Sequence, residues 1–434
     1  MTERFARVFP KDFLFGTATS AHQVQGSPLS NWGTWEVSSD RKEALAEAGK
    51  LSAHGYDNFV AGHACKFEER YPIFFEIAKV YEHNAIRFSI NWATVEPQAG
   101  EFNGAVIDRY VAMINSALAL GLQPIITFYH WTHPMWFEKI GAWRCEDSPV
   151  LFGIFVARMM SRIGTKVMYY TPLNEPNVYA HFSYRWGLWP PQTASEVSYR
   201  VVAHNLRAAH KVAYQAIKDR NPHALIGIGQ SCSWNSADSA SLQSERDHWH
   251  TDDLDELEPY LDFIGVQTYM HSHYHADGTV QAGWEGRDPC SSHEVVSDLN
   301  WGMCPRSIYE VVKSTWNRYH KPIMITEHGH AVREVEDHRR CWYLWKSMGW
   351  IERAIQEGIP LMGYLHWSLL DNFEWECGWW PKFGLIEFDH TIGIGRPRRS
   401  AELYRDIILA GGTHPTIAKR YSDVIRHPHA ALVD

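Results

Sequence analysis

Two glutamates at the ends of short apolar runs are the residues best placed to do chemistry in this sequence. Glu175 follows Tyr-Tyr-Thr-Pro-Leu-Asn and precedes Pro176, and Glu327 follows Pro-Ile-Met-Ile-Thr and precedes His328-Gly329. A carboxylate at the end of a buried strand costs free energy to bury unless it is paired with another group or takes part in function. Two such carboxylates in similar local settings predict an acid/base pair built on one scaffold.

Short β-rich runs alternate with amphipathic helical patterns along the whole chain. The predicted strands are mostly continuous apolar stretches, as expected when both faces of a strand are covered. They are Phe13–Thr19, Ala85–Ile90, Pro124–Tyr129, Val167–Leu173, Ala224–Ile228, Phe263–Thr268, Pro322–Thr326 and Leu361–His366. Helices are predicted at Phe67–His83, Ala105–Leu120, Pro149–Gly164, Ala194–Arg220, Arg306–Tyr319, Glu336–Glu357 and Ala401–Leu409.

Eight strands joined by helical crossovers is the count that closes a (β/α)8 barrel. An open doubly wound sheet, the main alternative, usually carries a Gly-rich nucleotide loop after its first strand. Here the first strand leads into Ser-Ala-His-Gln-Val-Gln-Gly, which is not such a loop. The sequence therefore predicts an α/β fold, a single (β/α)8 TIM barrel over residues 1–434.

In such a barrel the active site lies at the C-terminal ends of the strands. Polar, aromatic and carboxylate groups occupy those ends in seven of the predicted strands, and the fifth adds only Gln230. The predicted rim residues are Gln23, Arg87, Asn91, Trp92, His130, Trp131, Asn174, Glu175, Gln267, Thr268, Tyr269, Glu327 and Trp367.

Two rim carboxylates without a clear metal-ligand set indicate acid/base and nucleophilic chemistry, as in glycoside hydrolysis, where one carboxyl is protonated and the other ionised. Arg87 and the hydroxyl of Tyr269 would hold Glu327 as the anion, and that charge would keep Glu175 protonated. Asn174 would hold a substrate hydroxyl beside the reacting carbon. The structural alternative is that both glutamates cap helices or end ion pairs.

A second candidate segment runs from Trp367 to Trp375. Trp367 would form a floor for a sugar ring, Glu374 would accept hydrogen bonds from its hydroxyls, and Trp375 would supply an indole donor or a wall. The composition, with 20 Trp and 14% aromatic residues, fits either a large core or a site for flat apolar faces. The structural alternative for the segment is an aromatic cluster beneath a loop.

Composition excludes several classes of partner. With 41 basic and 50 acidic residues the formal charge is −9, which gives no reason to expect nucleic acid or an anionic membrane. No apolar run reaches the length of about 18 residues that a spanning helix needs. The N-terminus lacks a signal-peptide core, and seven scattered cysteines without a Cys-x-x-Cys pair fit a reduced, cytoplasmic protein. The oligomeric state is open, a homo-oligomer included.

Together these motifs resemble glycoside hydrolase family 1, the retaining β-glycosidases, in order and over almost the whole chain. The motifs are Phe13-Leu14-Phe15-Gly16 through Gly26, Arg87 through Trp92, Tyr129-His130-Trp131, Thr171 through Pro176, Ile325-Thr326-Glu327-x-Gly329, Trp367 through Asn372 with Glu374-Trp375, and Lys382-Phe383-Gly384.

The resemblance implies an exo-acting β-glucosidase, extending to β-galactosides or β-fucosides, with Glu327 as nucleophile, Glu175 as acid/base and no cofactor or metal. The carboxyl groups would lie roughly 5–5.5 Å apart, the retaining spacing. The substrate-binding residues it implies are Gln23, His130, Trp131, Gln267, Trp367, Glu374, Trp375 and Phe383.

Several positions depart from the family pattern, among them His22, Gln25 and Thr132, and three of them leave the specificity open. His328 stands where Asn is usual, Gln267 where a shorter Asn is usual, and His133 where the family has Leu. They add imidazoles near the rim and leave the preferred sugar and leaving group open. Relatives that act on 6-phosphorylated sugars carry Ser and Lys in place of the Glu374-Trp375 pair, so a non-phosphorylated sugar is expected here.

Two other function classes were weighed. A metal-dependent barrel hydrolase is prompted by His271, His273 and His275 after the sixth strand, with His248 and His250 nearby. No matching Asp set stands at the strand ends, so a solvated histidine loop is the favoured interpretation, and full activity after exhaustive chelation would exclude the metal route. The other class is a sugar-binding barrel with weak or no catalysis, together with its variant, a transglycosidase.

Overall fold

Nine short parallel strands form one curled sheet at the centre of the molecule. The computed structural model describes residues 7–239, 251–277, 280–282, 295–333, 337–389 and 393–426. The strands of this sheet are β1 (Leu14–Ala18), β2 (Ala85–Ser89), β3 (Gln123–Tyr129), β4 (Tyr169–Leu173), β5 (Leu225–Ile226), β6 (Gly229–Ser231), β8 (Ile264–Gln267), β11 (Ile323–His328) and β12 (Leu361–His366). Almost all of their residues are buried, which explains the continuous apolar runs in the sequence.

The fifth barrel strand is split, and the split closes the sheet. Its first piece, β5, pairs with β4 through Tyr169 and Leu225, and its second piece, β6, pairs with β8 through Gly229 and Gly265. The two outermost members of the sheet are therefore consecutive pieces of one strand. The predicted (β/α)8 barrel is confirmed, although the single strand predicted at Ala224–Ile228 is wrong in its extent.

One helix follows each barrel strand. These are α1 (Phe67–Val80), α2 (Gly104–Ala119), α3 (Ser148–Ile163), α4 (Glu196–Arg220), α5 (Thr251–Leu257), α6 (Ser307–Tyr319), α7 (Asp337–Gln356) and α8 (Arg399–Ala410). Seven agree with the predicted helices to within about three residues at each end; the predicted start of the seventh, Glu336, lies outside the described residues. Helix α5 was not predicted, because only two of its seven residues, Leu254 and Leu257, are apolar, too few to show an amphipathic helix face.

Shorter strands and helical segments lie outside the barrel strands and the eight helices. β7 (Trp234–Ala237), β9 (His271–Tyr274) and β10 (Val280–Ala282) form a three-stranded sheet, and β13 (Ile386–Asp389) pairs with β14 (Gly393–Pro397). Short helical segments occupy Ala21–Gln25, Asn31–Glu36, Ser39–Glu47, Lys50–His54, Tyr56–Phe59, Trp92–Val95, Met135–Lys139, Ala142–Arg144, Pro176–Ala180, His181–Arg185, Glu258–Tyr260, Trp375–Cys377 and Pro415–Arg420. Within the described ranges, every helix is too short or too polar to cross a bilayer.

Several histidines are buried in the barrel as neutral side chains. Burial lowers the pKa of His83 and His328 to about 3 and that of His210 to about 4. Neither ring nitrogen of His83 has a hydrogen-bond partner, and its ring packs 5.3 Å from that of Tyr404. The unfolded chain therefore takes up protons below about pH 6.5 that the folded chain does not bind, so these groups reduce the free energy of unfolding as the pH falls.

Replacing His83 by Leu should make the stability less sensitive to acid. Between about pH 6 and pH 5 the free energy of unfolding should fall by roughly 1.4 kcal/mol per pH unit less in the variant than in the parent, because one proton uptake is removed. Urea unfolding at several pH values measures this. The exposed His223, replaced in the same way, is the control and should leave the slope unchanged. Equal slopes in the parent and His83→Leu would contradict the account.

Candidate active site

A cavity of about 700 Å³ opens at the C-terminal ends of the barrel strands. This volume lies in the range of small-molecule sites. Ten of the thirteen sequence-predicted site residues line it, and they are Gln23, His130, Trp131, Glu175, Tyr269, Glu327, Trp367, Glu374, Trp375 and Phe383. The other three, Arg87, Asn174 and Gln267, lie directly behind the wall and contact Glu327 or one another.

Three donors surround the carboxylate of Glu327, at the end of β11. Arg87 Nη1 and Gln267 Nε2 donate to Oε1, the latter at 3.0 Å, and the hydroxyl of Tyr269 donates to Oε2 at 2.6 Å. Both carboxylate oxygens are therefore satisfied before any substrate binds. The contacts expected from Arg87 and Tyr269 are present, and the longer amide of Gln267 reaches the same carboxylate.

Arg87 holds this cluster together from the inside of the barrel. Its side chain has no exposed surface, and Nε donates to Thr127 Oγ1 at 3.0 Å while Nη2 donates to Asn174 Oδ1 at 2.6 Å. The guanidinium thus joins β2, β3, the end of β4 and β11. Because its fork is planar and fixed, it orients Glu327 and Asn174 at the same time.

Gly229 in β6 leaves the room that this cluster occupies. A Cβ atom at this position would lie 2.6 Å from Gln267 Nε2 and 3.2 Å from both Arg87 Nη2 and Asn174 Oδ1. Any side chain would therefore push the amide of Gln267 away from Glu327. Gly229 was not predicted as a site residue, because a single glycine in a strand does not form a recognisable sequence motif.

Glu175 lies in a different environment. It occupies the position before the short helix Pro176–Ala180, but its side chain does not cap that helix. The carboxyl instead faces the cavity, where the hydroxyl of Ser231 on β6 opposes the rise of its pKa. The capping alternative is thereby excluded for Glu175. Ser231 is a site residue that the sequence analysis missed.

The surroundings act unequally on the pKa values of the two carboxyls. Burial and the charge of Glu327 hold the pKa of Glu175 well above its usual range. Burial also raises the pKa of Glu327, but Arg87 and the hydrogen bonds from Tyr269 and Gln267 oppose that rise. When one proton is shared by the pair, this arrangement favours Glu175 as its carrier.

Neutral polar groups line the deep end of the cavity. Gln23 Nε2 donates to Glu374 Oε2 at 3.1 Å, and both Gln23 and Trp367 favour the ionised form of that carboxyl. Burial, together with Glu376 and Glu327, raises the pKa of Glu374 well above its usual range. This environment favours the neutral form of the Glu374 carboxyl more than water does.

Aromatic rings form the walls around this polar end. The Trp375 ring lies 4.7 Å from the Trp131 ring and 5.9 Å from the His130 ring, to which it is nearly parallel. Burial and the nearby Arg87 hold the pKa of His130 well below its usual range, so its imidazole is neutral. Flat apolar faces beside hydroxyl-binding groups are suited to the two kinds of surface that a sugar ring presents.

Three residues that line this cavity have a left-handed backbone conformation. Trp131, Glu175 and Trp375 have φ of 68°, 40° and 47°, in the left-handed region that non-glycine residues rarely adopt. Each such residue costs on the order of 1–3 kcal/mol, and such residues cluster at functional sites. In this conformation the three side chains point into one cavity.

The outer part of the cavity is lined by only some of the aromatic residues that the sequence offers for the leaving-group side. The sequence candidates are Trp143, Tyr179, Phe182, Trp234, Trp301 and Trp379, and of these Phe182 and Trp301 line the cavity. Trp143 and Tyr179 belong to the core, where both are fully buried. Trp234 stacks on His271, and Trp379 lines a separate groove. The cavity-lining residues that were missed include Val178, His181, Arg185, Trp186, Trp189, Ser233, Asn235, Ser272, Tyr274, Leu299 and Glu376.

Two of the three unusual positions face away from the cavity. His328 shares hydrogen bonds with the hydroxyls of Tyr343 and Tyr364, at 2.8 and 3.1 Å. His133 contacts Glu138 Oε2 at 2.7 Å. Both imidazoles are fully buried, so neither touches a substrate directly. Of the three departures, only Gln267 contacts a predicted catalytic group.

The histidines that prompted the metal-hydrolase alternative do not form a solvated loop. His271 and His273 lie in β9 and are buried, and His275 directly follows that strand. His273 and His275 approach Asp238, and these three are the one group of potential metal ligands found among the described residues. His248 and His250 lie outside those residues. None of the three lines the cavity that contains Glu175 and Glu327.

Comparison with known proteins connects this site to one family. The sequence model described as "Glycosyl hydrolase family 1" matches residues 5–247 and 238–413. A "Beta-glucosidase A" from Acetivibrio thermocellus is 27% identical over 453 residues, covering 93% of this chain and 99% of that protein. "Beta-glucosidase 47" from Arabidopsis thaliana is 27% identical and covers 92% of this chain and 85% of that protein.

The fold shows the same relationship. A β-glucosidase from Thermotoga maritima, solved in complex with glucoimidazole, superposes with a TM-score of 0.83 at 26% identity. The superposition covers 93% of this chain and 99% of the other. The similarity thus extends over the barrel and its rim.

Neutralising Glu327 should lower the pKa of Glu175. Glu327→Gln keeps the shape of the side chain but removes the negative charge that raises the pKa of its neighbour. NMR titration of the side-chain carboxyl carbons measures the change. Glu374→Gln is the matched control and should lower the same pKa less, because Glu374 is the weakest of the groups that act on it. An unchanged or higher pKa of Glu175 in Glu327→Gln would contradict the coupling.

Proposed function

Since the chain belongs to glycosyl hydrolase family 1 and is thus a glycoside hydrolase, we propose that it is a retaining, exo-acting β-glycosidase. Its substrates are β-glucosides, with β-galactosides and β-fucosides as further candidates, and its mechanism is a double displacement through a covalent glycosyl-enzyme. The observation that carries the proposal is the unequal setting of the two carboxyls. Glu327 accepts hydrogen bonds from the cation Arg87 and from the neutral donors Gln267 and Tyr269, whereas the pKa of Glu175 is raised by burial and by the charge of Glu327.

In the first step Glu327 attacks the anomeric carbon. Arg87 favours the ionised form of the attacking carboxylate, and Tyr269 and Gln267 fix its two oxygens in place. Glu175 donates its proton to the departing glycosidic oxygen, so the leaving group departs as a neutral alcohol. The products are the free alcohol and an ester between Glu327 and the sugar.

Formation of the ester reverses the role of Glu175. The ester carries no charge, so the main electrostatic cause of the raised pKa of Glu175 disappears. Glu175, now ionised, accepts a proton from water as the water attacks the anomeric carbon. The ester breaks, Glu327 leaves as the anion, and the sugar keeps its original configuration.

The deep end of the cavity supports an exo mode on an unmodified sugar. Gln23 and Trp367 are almost fully buried and close this end, leaving space for a terminal sugar rather than a continuing chain. Gln23, His130 and Glu374 offer hydrogen bonds to ring hydroxyls, Trp375 offers a flat face, and Asn174 is assigned to the hydroxyl next to the reacting carbon. The outer walls, rich in aromatic rings, receive the leaving group.

A reducing, cytoplasmic location is part of the proposal. It is supported by Cys65, Cys145, Cys232, Cys341 and Cys377, which are free thiols and of which the first, third and fourth are buried. Subcellular fractionation of the source cells tests it, and recovery only from the exterior would contradict it.

Removing each glutamate should give different kinetic defects. Glu175→Gln should lose on the order of 10²–10⁴-fold in kcat/KM with a poor leaving group, because the proton donor is gone. It should lose much less with a 2,4-dinitrophenyl leaving group, and azide should accelerate its turnover because azide attacks the ester without a base. Glu327→Ala should lose turnover with every leaving group.

Steady-state kinetics on a panel of aryl β-D-glucosides measures these effects. Glu101→Gln, a change of the same type at an exposed site, is the control and should behave as the parent. Near-normal rates in Glu327→Ala, or equal losses of Glu175→Gln across all leaving groups, would contradict the assignment.

Glucosides that carry a 6-phosphate should be poor substrates. Among the described residues that line the cavity, the single Lys or Arg is Arg185, on the helical segment His181–Arg185, whereas the deep end holds Glu374 and neutral donors. A phosphate there would be buried without a counter-charge, so kcat/KM should fall on the order of 10²-fold or more. Assays of 4-nitrophenyl β-glucoside and its 6-phosphate measure the ratio, and a preference for the phosphate would overturn this part of the proposal.

A further inference from the structure

A three-residue cluster lies on the sheet at the barrel rim, outside the catalytic machinery. His273 Nε2 is 2.9 Å from Asp238 Oδ1, and His275 Nδ1 is 3.4 Å from Asp238 Oδ2. The three ligand atoms all lie within 4.8 Å of one another. We propose that Asp238, His273 and His275 bind one zinc ion.

The two separations between the imidazoles and the Asp238 carboxylate lie near the edge length of a tetrahedral zinc site. Zinc binds imidazole nitrogen and carboxylate oxygen at about 2.0–2.2 Å, so two ligand atoms of a tetrahedral site lie about 3.3–3.5 Å apart. The observed separations of 2.9 and 3.4 Å need only small side-chain rotations to reach those values. Two imidazoles with one carboxylate is a ligand set for zinc, whereas calcium and magnesium prefer oxygen ligands throughout.

Strand geometry presents the two imidazoles together. Residues 273 and 275 are two apart, so alternation along an extended chain places them on one face. Asp238 directly follows β7, which runs parallel to β9, and its backbone N–H donates to Tyr274 O at 3.1 Å. The backbone N–H of Ala276 donates to Asp238 Oδ2 at 2.9 Å and so fixes the orientation of the carboxylate.

Ser236 supplies the outer support that metal-binding imidazoles usually have. Its Oγ lies 2.9 Å from His273 Nδ1 and 3.0 Å from His271 Nε2. When Nδ1–H of His273 donates to Ser236 and Ser236 donates to His271, the lone pair of His273 is on Nε2, the nitrogen that faces Asp238. A hydrogen bond from the second ring nitrogen fixes the tautomer in the same way in known metal sites.

The cluster is accessible to solvent but separate from the reacting groups. The Asp238 side chain is 43% exposed and that of His275 is 33% exposed, so an ion can enter. Ser272 and Tyr274 line the catalytic cavity, while His273 between them is buried on the opposite face of β9. The ion would therefore clamp β7 to β9 behind the cavity wall and would take no part in the proposed hydrolysis.

Zinc titration of the chelator-treated, full-length protein tests this site. Isothermal titration calorimetry should show one equivalent of zinc per chain, and zinc should raise the melting temperature because it binds the folded form. Asp238→Asn and His275→Ala should each weaken binding by about tenfold or more and remove the thermal shift. His223→Ala, at an exposed histidine in the loop before β5, should bind zinc as the parent does.

Circular dichroism establishes that each variant is folded, and the two ligand variants provide independent tests. Absence of stoichiometric zinc binding by the parent would overturn the proposal and leave Asp238 and His273 as an ordinary ion pair. Undiminished binding in both folded ligand variants would also overturn it, because the zinc would then be held elsewhere on this histidine-rich chain.

Discussion

The buried pair of Arg87 and Glu327 is the interaction on which the active-site structure depends. Both groups are almost completely removed from water, and each is costly to bury alone. Removing one partner of such a pair typically costs about 3–5 kcal/mol because the other charge is left uncompensated. The barrel meets this constraint by surrounding the pair with neutral donors and acceptors from several strands. Asn174, Gln267 and Tyr269 are all part of that shell.

This constraint also separates the two carboxyls chemically. Arg87 donates a hydrogen bond directly to Glu327, whereas it acts on Glu175 only through its charge, and the negative charge of Glu327 opposes the ionisation of Glu175. Two glutamates with similar sequence settings thereby acquire different proton affinities. The proposed exchange of roles between the two steps needs no movement of the backbone, because it follows from the loss and return of one charge on Glu327.

Much of the fold and the site centre could be predicted from the sequence because both depend on local patterns. Barrel strands that are buried on both faces appear as continuous apolar runs, and the strand-end rule then brought Glu175, Glu327, Arg87 and Tyr269 to one rim. The break within the fifth strand could not be predicted, because it reflects how a closed sheet joins its two edges. Gly229 was missed for a related reason, since its importance comes from side chains distant in sequence.

The aromatic residues that line the outer cavity could not be predicted. Tertiary packing, and not residue type, decides whether an aromatic side chain lies in the core or on the cavity wall. Trp143 and Trp301 both lie outside the barrel strands and the eight helices that follow them, yet Trp143 is in the core and Trp301 is on the cavity wall. The histidines show the same limit. A His-x-His-x-His run suggested a solvated loop, whereas pairing between β7 and β9 buries His271 and His273 and brings His273 to Asp238.

Trapping the glycosyl-enzyme tests the central claim, the assignment of the ionised nucleophile to Glu327, most directly. A 2-deoxy-2-fluoro-β-glucosyl fluoride slows both steps but its good leaving group allows the first, so an ester accumulates. Mass spectrometry should show one added fluoroglucosyl group per chain, and peptide mapping should place it on Glu327. A label on any other residue, or release of sugar with inverted configuration and no label, would contradict the account.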